Sequence, residues 1–344
     1  MPAPERLLLL GRQRLAAPLL AERAARTKAE VEVVEDLGRI FGHEIECTSR
    51  VAELLRRGRL VRRRHAPPPH TFPLLMATRI LHVSDLHMGA QGVYAEYALG
   101  AICEAVDPEL VIASGDLAHR GLREQHGRAA TLLRELDKPL LVVPGNHDIA
   151  YRPWARMRRP FAEFEREWSN RQPVYRSPTI VAVGLNTVRP WRHQSGAVRA
   201  PQLAFAEEEL RRTEGNPLRI VALHHHMLGA PWRSRKKPVA RRNRVLAALV
   251  DAGAELVVAG HIHQGAVAER REFEISPEGA ERGVTVSIAP GLGQPRPDRR
   301  GEARGLHVYE AEESRLRIRT FTWRGGEWAL TAERTFPRGR EPLN

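Results

Sequence analysis

Five short apolar runs constrain this chain more than any other feature: Ile80 to Val83, Leu110 to Ala113, Leu140 to Val143, Ile220 to Leu223 and Leu256 to Ala259. Each is followed by residues that bind cations or turn the backbone. In chain order these are Asp85-Leu86-His87, Gly115-Asp116, Gly145-Asn146-His147-Asp148, His224-His225-His226 and Gly260-His261-Ile262-His263. Short runs rich in Val, Ile and Leu read as strands buried on both faces. Groups placed just past the carboxyl ends of neighbouring strands meet at one edge of a sheet, where α/β proteins keep their chemistry. The pattern predicts an α/β layer fold whose oxygen and nitrogen ligands gather into a two-metal site.

Bulk properties leave room for that fold. The chain has 344 residues and a 42% hydrophobic content, enough for a substantial core. No run approaches the roughly 18 to 20 consecutive apolar residues of a membrane span, and Leu7 to Leu10 is too short for a secretory apolar region. Cys47 and Cys103 lie apart without metal-type spacing, which excludes a thiolate cluster and suits a reducing cytoplasm. The formal charge of +13 raises a polyanion as partner. Lysine contributes only Lys28, Lys138, Lys236 and Lys237, so the excess is arginine, as GC-rich codons would also produce.

Residues 1–75 differ from the rest: Arg- and Ala-rich, with helical periodicity around Leu15 to Leu37, a basic run from Arg56 to Arg64, then Pro67-Pro68-Pro69. A proline run after a charge run reads as a linker. The segment is expected to be a helical extension, either a genuine appendage or the product of a start codon upstream of Met76. A main domain is expected over 76–330 and a tail over 331–344. Within the domain, helical segments at Tyr94 to Val106, Glu124 to Leu136, Phe161 to Trp168, Pro201 to Arg212 and Arg244 to Ala252 alternate with the strands. Strand-like runs then follow one another at Val284 to Ile288, Gly305 to Tyr309, Leu316 to Trp323 and Trp328 to Leu330, suggesting an antiparallel sheet packed beside the first.

Chemistry assigns each block a use. Asp85 and His87, two apart on an extended strand end, would face one metal together. Asp116 follows a glycine that lets the backbone come close, and its two oxygens can bridge two cations. Asn146 offers a neutral oxygen. Imidazoles at His261 and His263 suit borderline metals, and of the three consecutive histidines only one is expected to join them. His82 and His307 lie inside strand runs and read as packed side chains. His119 and Arg120 could reach a substrate from the same edge. Seven cations between Trp232 and Arg244 form either a solvated loop or an anion-steering rim, and the loop from Arg296 to Arg304 either closes over the site or merely connects.

Together the blocks resemble the calcineurin-like metallophosphoesterase superfamily, whose pattern is D-x-H, G-D, G-N-H-D/E, H and G-H-x-H. The likeness covers about residues 77–325. Gly184-Leu-Asn-Thr187, His224-His225-His226, Gly260-His-Ile-His-Gln264 and Gly301-Glu-Ala-Arg-Gly305 are similar to segments of the bacterial cyclic-nucleotide phosphodiesterase-like group. The resemblance implies a four-layer αββα sandwich and two metal ions (manganese, iron, zinc or cobalt). One ion would be held by Asp85, His87 and His263, a second by Asn146, His225 and His261, with Asp116 between them. His225 is chosen by matching His225-His226-Met227 to the family's H-H-P, and His224 is the alternative because Met227 replaces the proline. His147 would be the general acid, oriented by Asp148. The implied activity is hydrolysis of a phosphodiester, foremost a small cyclic nucleotide, through attack by a metal-bridging hydroxide. Alternatives are a DNA exonuclease-like nuclease, a nucleotide or lipid pyrophosphatase, and a non-catalytic basic nucleic-acid-binding scaffold.

Overall fold

Side chains of a strand point alternately to opposite faces, so a strand apolar at every position must be covered twice. In the computed structural model, which describes residues 77–90, 98–192, 194–230, 236–273, 283–293 and 304–338, the strands Leu110–Ala113, Ile180–Leu185 and Leu256–Ala259 meet that condition at every position. The first sheet has the order β12-β11-β10-β1-β2-β3: β1 (Thr78–Val83), β2 (Leu110–Ala113) and β3 (Leu140–Val142) run parallel. The second has the order β4-β5-β6-β7-β9-β8, with β5 (Ile180–Leu185), β6 (Leu218–Leu223), β7 (Leu256–Ala259) and β9 (Thr285–Ile288) parallel. Its edges, β4 (Val174–Arg176) and β8 (Ala266–Glu269), are antiparallel to their neighbours.

Ile80, Leu110, Ile112, Leu141 and Tyr309 of the first sheet interlock with Ile180, Ile220, Leu256 and Val258 of the second. The other face of the first sheet, through Leu81, Val83, Val111 and Ala113, packs on α1 (Leu99–Val106), α2 (Arg123–Arg134) and, through Phe164, α4 (Ala162–Trp168). The outer face of the second, through Val181, Val221 and Val257, packs on α5 (Ala200–Arg211) and α6 (Arg242–Asp251). The layers are therefore helix, sheet, sheet, helix, as the resemblance implied. A short helix, α3 (Pro153–Arg158), buries none of its residues.

The last strands depart from expectation. β10 (Gly305–Ala311), β11 (Arg315–Arg324) and β12 (Glu327–Pro337) make no separate sheet; β10 pairs antiparallel with β1 and extends the first sheet. Their meander supplies the expected antiparallel pairing, but the free edge of β1 is where it attaches. Residues 331–337, expected as tail, are the second half of β12, held in register opposite Arg315 to Thr320. The expected helical extension and proline linker over 1–75 lie outside the described residues, as do 91–97 of the first expected helix and 294–303 of the Arg296 to Arg304 loop.

Candidate metal centre

All five blocks reach one pole, three of them through left-handed residues rather than extended strand ends. Five of the nine described non-glycine residues with positive φ lie there: Asp85 (55°), His87 (46°), Asp116 (52°), His261 (76°) and His263 (58°). L-residues seldom adopt this region, and such strain collects where surrounding structure enforces it for a purpose. Hydrogen bonds from Asp85 N to Gly115 O (2.9 Å), His87 N to Asp116 O (2.9 Å) and Met88 N to Leu117 O (2.8 Å) lace the first two blocks together beyond their strands. Gly115, at φ +91°, allows the close approach: a Cβ there would lie 2.6 Å from Gly145 N and 2.8 Å from His224 Nδ1. Gly260 plays the same part opposite Asp85, whose Oδ2 would stand 2.5 Å from a Cβ.

Two groups of donor atoms result. In the first, His263 Nε2 lies 3.1 Å from Asp85 Oδ1 and 3.1 Å from His87 Nε2, which is itself 3.8 Å from Asp85 Oδ1. In the second, His224 Nε2 lies 3.1 Å from Asn146 Oδ1, 3.2 Å from His261 Nδ1 and 3.3 Å from Asp116 Oδ1. Asp116 belongs to both, since its Oδ2 is 3.8 Å from His87 Nε2. Asp85, His87, Asp116, Asn146, His224, His261 and His263 are all buried.

The donor set fits cations. Asp85 Oδ1 and Asp116 Oδ2 are buried and accept no hydrogen bond, a state that costs free energy unless a positive charge compensates it. His224 Nδ1 donates to Ser114 O at 2.8 Å, which turns Nε2 toward the group. Ser84 Oγ (2.7 Å) and His261 N (2.8 Å) donate to Asp85 Oδ2, holding its other oxygen inward. Partner bonds of this kind fix ligand orientation in metal sites. Burial would raise both carboxyls, but the facing His263 keeps Asp85, and His224 keeps Asp116, well below the usual carboxylate range. Burial pulls His224 down, yet the Asp116 carboxylate outweighs it and lifts this imidazole to about 9. Burial holds His87 and His261 well below the usual histidine value, leaving each ring neutral with one nitrogen free to accept.

Two expected residues stand elsewhere than the resemblance implied. His224, one residue earlier on the exit of β6, faces the second group where His225 was expected, while His225 Nδ1 bonds to Thr187 Oγ1 at 2.8 Å and its Nε2 is buried without a hydrogen bond. Nor does Asp148 orient His147. Its Oδ1 accepts from Ala118 N (2.8 Å) and its Oδ2 from Gly145 N (2.7 Å), so it pins the backbone of two blocks. The His147 ring is oriented instead by its Nδ1 donating to His119 O at 2.8 Å, with its centroid 4.9 Å from that of His87.

No role was expected for Ser84, Ser114 or Thr187: Ser114 and Thr187 act on His224 and His225 of a distant block, and Ser84 on Asp85 beside it. Within the basic run, residues 231–235 lie outside the described part, whereas Lys236 Nζ donates to His261 O and Arg242 to Met227 O (3.1 Å). That part of the run braces the histidine loops. His82 and His307 are packed between the sheets as expected. His82 bonds to Tyr309 Oη (2.7 Å) and Ser114 Oγ (2.8 Å), while His307 bonds to Ser287 Oγ (2.8 Å).

Residues 78–265 match the profile of the calcineurin-like phosphoesterase family. Over 160 residues the chain is 26% identical to a protein of Arcobacter nitrofigilis named as a probable glycerophosphodiester phosphodiesterase, covering 42% of this chain and 56% of that relative. Over 220 residues it is 22% identical to a 3′,5′-cyclic adenosine monophosphate phosphodiesterase of Haemophilus influenzae, covering 57% of this chain and 74% of that one. Among solved structures, a purple acid phosphatase from yellow lupin, Lupinus luteus, shares the fold with a TM-score of 0.57 at 13% identity, over 76% of this chain and 54% of its own.

Proposed function

The chain belongs to the calcineurin-like phosphoesterase family, and from that membership and the geometry of the pole we propose that it is a dinuclear-metal-dependent hydrolase of phosphodiesters, with a small, foremost cyclic, nucleotide as substrate. The observation that carries the proposal is the placement of Asp116 between two donor groups, with Oδ1 3.3 Å from His224 and Oδ2 3.8 Å from His87. Asp85, His87 and His263 would hold one ion, and Asn146, His224 and His261 the other, with Asp116 common to both. Oxygen and imidazole donors without thiolate suit manganese, iron, zinc or cobalt. When bound, such a pair supplies charge compensation for the phosphoryl oxygens and an acidified water for in-line attack.

The chain's own residues do the rest. Asp85 and Asp116, anionic and buried, set the charge that makes the pole take up cations. Ser84, Ser114 and the backbone of His261 keep the ligand atoms aimed inward, so little reorganisation is required when substrate arrives. With its Nδ1 hydrogen committed to the His119 carbonyl, His147 keeps Nε2 for the leaving-group oxygen, to which it would give a second, Nε2-bound proton as an imidazolium, ending as the neutral ring. Both bacterial relatives are named as phosphodiesterases, which favours diesters over monoesters.

Assaying metal-stripped protein, then the same protein with Mn²⁺ added, against bis(p-nitrophenyl) phosphate, 3′,5′-cyclic AMP, glycerophosphodiesters, phosphomonoesters and pyrophosphates tests the reading. Metal-dependent release of 5′- or 3′-AMP from cyclic AMP is expected. Turnover of monoesters or pyrophosphates alone would refute it.

A further inference from the structure

Directly after the Gly145–Asp148 turn the chain leaves the body for nine residues, Tyr151 to Arg159, and returns. The stem is closed by Ala150 N donating to Pro160 O at 2.8 Å and by Arg156 Nε donating to Ala150 O at 3.0 Å. The excursion is thus a built feature, started by Pro153 in the first turn of α3. Its side chains stand outward: Tyr151 is 63% exposed, Trp154 74% and Met157 61%. It also carries Arg152, Arg156, Arg158 and Arg159 and no carboxylate. A six-residue helix that buries nothing contributes no core, and large exposed aromatics grouped with like charge mark a surface for something else.

That surface adjoins the candidate metal centre. The loop bearing His119 packs on the stem so tightly that a Cβ on Gly121 would lie 3.2 Å from His147 O. From this loop the Arg120 guanidinium reaches the Tyr151 ring, 5.7 Å from its centroid, and Leu122 beside it is 48% exposed. Aromatic rings and guanidinium groups therefore continue outward from the paired rings of His119 and His147, which stack 5.9 Å apart.

We propose that Arg120, Tyr151, Arg152, Trp154 and Arg158 form a platform for single-stranded nucleic acid, with bases stacking on the two rings and phosphates meeting the arginines. Stacking on aromatics beside a basic track is how proteins hold single strands without reading sequence. Charge complementarity requires a polyanion. The arrangement within α3 favours nucleic acid over a lipid surface, because Trp154 and Arg158 are four apart and share one helix face. A membrane-seated helix instead separates its apolar and cationic faces. The proposal rests on the hydrolase reading for what becomes of the strand, but binding itself does not depend on it.

The test uses the full chain stripped of metal with EDTA, so that binding is read without cleavage. Fluorescence anisotropy of a fluorescein-labelled oligothymidylate 15-mer follows the wild type, Trp154→Ala, the double variant Arg152→Glu/Arg158→Glu, and Leu330→Ala on the distant β12 as a control. Phosphatidylcholine/phosphatidylglycerol vesicles are titrated in parallel. The expected result is binding that weakens with salt, loses about tenfold in Trp154→Ala, and has a shallower salt slope by roughly one to two in the double variant. The Leu330→Ala control should match wild type. Binding equal in all four proteins overturns the proposal, since it would place the strand elsewhere, for example on the basic residues before Met76. So does absence of binding, or loss of vesicle binding alone in the variants. A protein that binds the strand in this pattern yet hydrolyses no ester with Mn²⁺ sinks the hydrolase reading and leaves the platform standing.

Discussion

Two buried polar regions sit within one molecule and are built on opposite principles. Between the sheets, His82 Nδ1 donates to Tyr309 Oη (2.7 Å), Tyr309 donates to Ser287 Oγ (2.9 Å), and Ser287 donates to His307 Nδ1 (2.8 Å), while Ser114 Oγ donates to His82 Nε2 (2.8 Å). One assignment of protons satisfies that whole chain apart from His307 Nε2. At the pole, ring nitrogens face one another at 3.1 and 3.2 Å, and one oxygen each of Asp85 and Asp116 accepts no hydrogen bond. The rule that buried polar groups are paired is kept in the first region by protons; in the second, bound cations would keep it. The contrast separates a polar network that holds a fold together from one that holds a ligand.

The sharpest way to break the comparison is to remove a group from the pole. Outer partners of metal ligands typically cost about 10- to 100-fold when lost, so His224→Gln, which deletes a direct donor, should cost more than about 100-fold in diester hydrolysis while the thermal transition of the metal-free protein persists. Steady-state kinetics beside a melting curve checks both halves. A variant that hydrolyses normally would return the second group to His225.

The network between the sheets should answer in the other currency. Tyr309→Phe leaves His82 Nδ1 without an acceptor and should lower stability by about 1–3 kcal/mol, read by urea denaturation, with metal stoichiometry unchanged. A loss of bound metal in this variant would show that the two regions are not separable.

Acid should reach this network in a defined window. Burial depresses His307 from the ordinary 6.5 to about 3 and holds His82 well below its usual value. Between those limits the unfolded chain binds the proton and the folded chain does not. The contribution of His307 is therefore complete above about pH 6.5, declines as pH falls and is gone below about 3. Replacing His307 with Gln should flatten the dependence of unfolding free energy on pH across that interval by up to about 1.4 kcal/mol per pH unit. An unchanged slope would mean that other groups drive acid unfolding.

The smallest effect is expected from His225→Gln. His225 bonds to Thr187 and lies tilted against His261, with ring centroids 4.5 Å apart. It should behave as an outer support and lose about tenfold or less in activity. A larger loss than in His224→Gln would reverse the order of the two.

Much of the pole was legible because each ligand block is contiguous and directly follows its own strand. The gathering of Asp85, His87, Asp116, Asn146, His261 and His263 could be read from blocks two to four residues long behind four-residue apolar runs. The choice between His224 and His225 could not, because it depends on where β6 ends and on Thr187, 38 residues away from His225. The role of Asp148 was misread for a similar reason: its partners are the amides of Ala118 and Gly145, and backbone amides leave no mark in a sequence. The destination of β10–β12 was hidden because the alternation that makes a strand does not say which edge it joins. The excursion at Tyr151 to Arg159 was not singled out from the sequence, because aromatics interleaved with arginine carry no signal until the closed stem and the exposure are known.

The account stands on Asp116 being shared, and manganese makes that directly observable. Titrating metal-stripped protein with Mn²⁺ under electron paramagnetic resonance should give two bound ions per chain with the spectrum of an exchange-coupled pair, and the coupling should vanish in Asp116→Asn. One ion per chain, or two that remain uncoupled in the wild type, would contradict it.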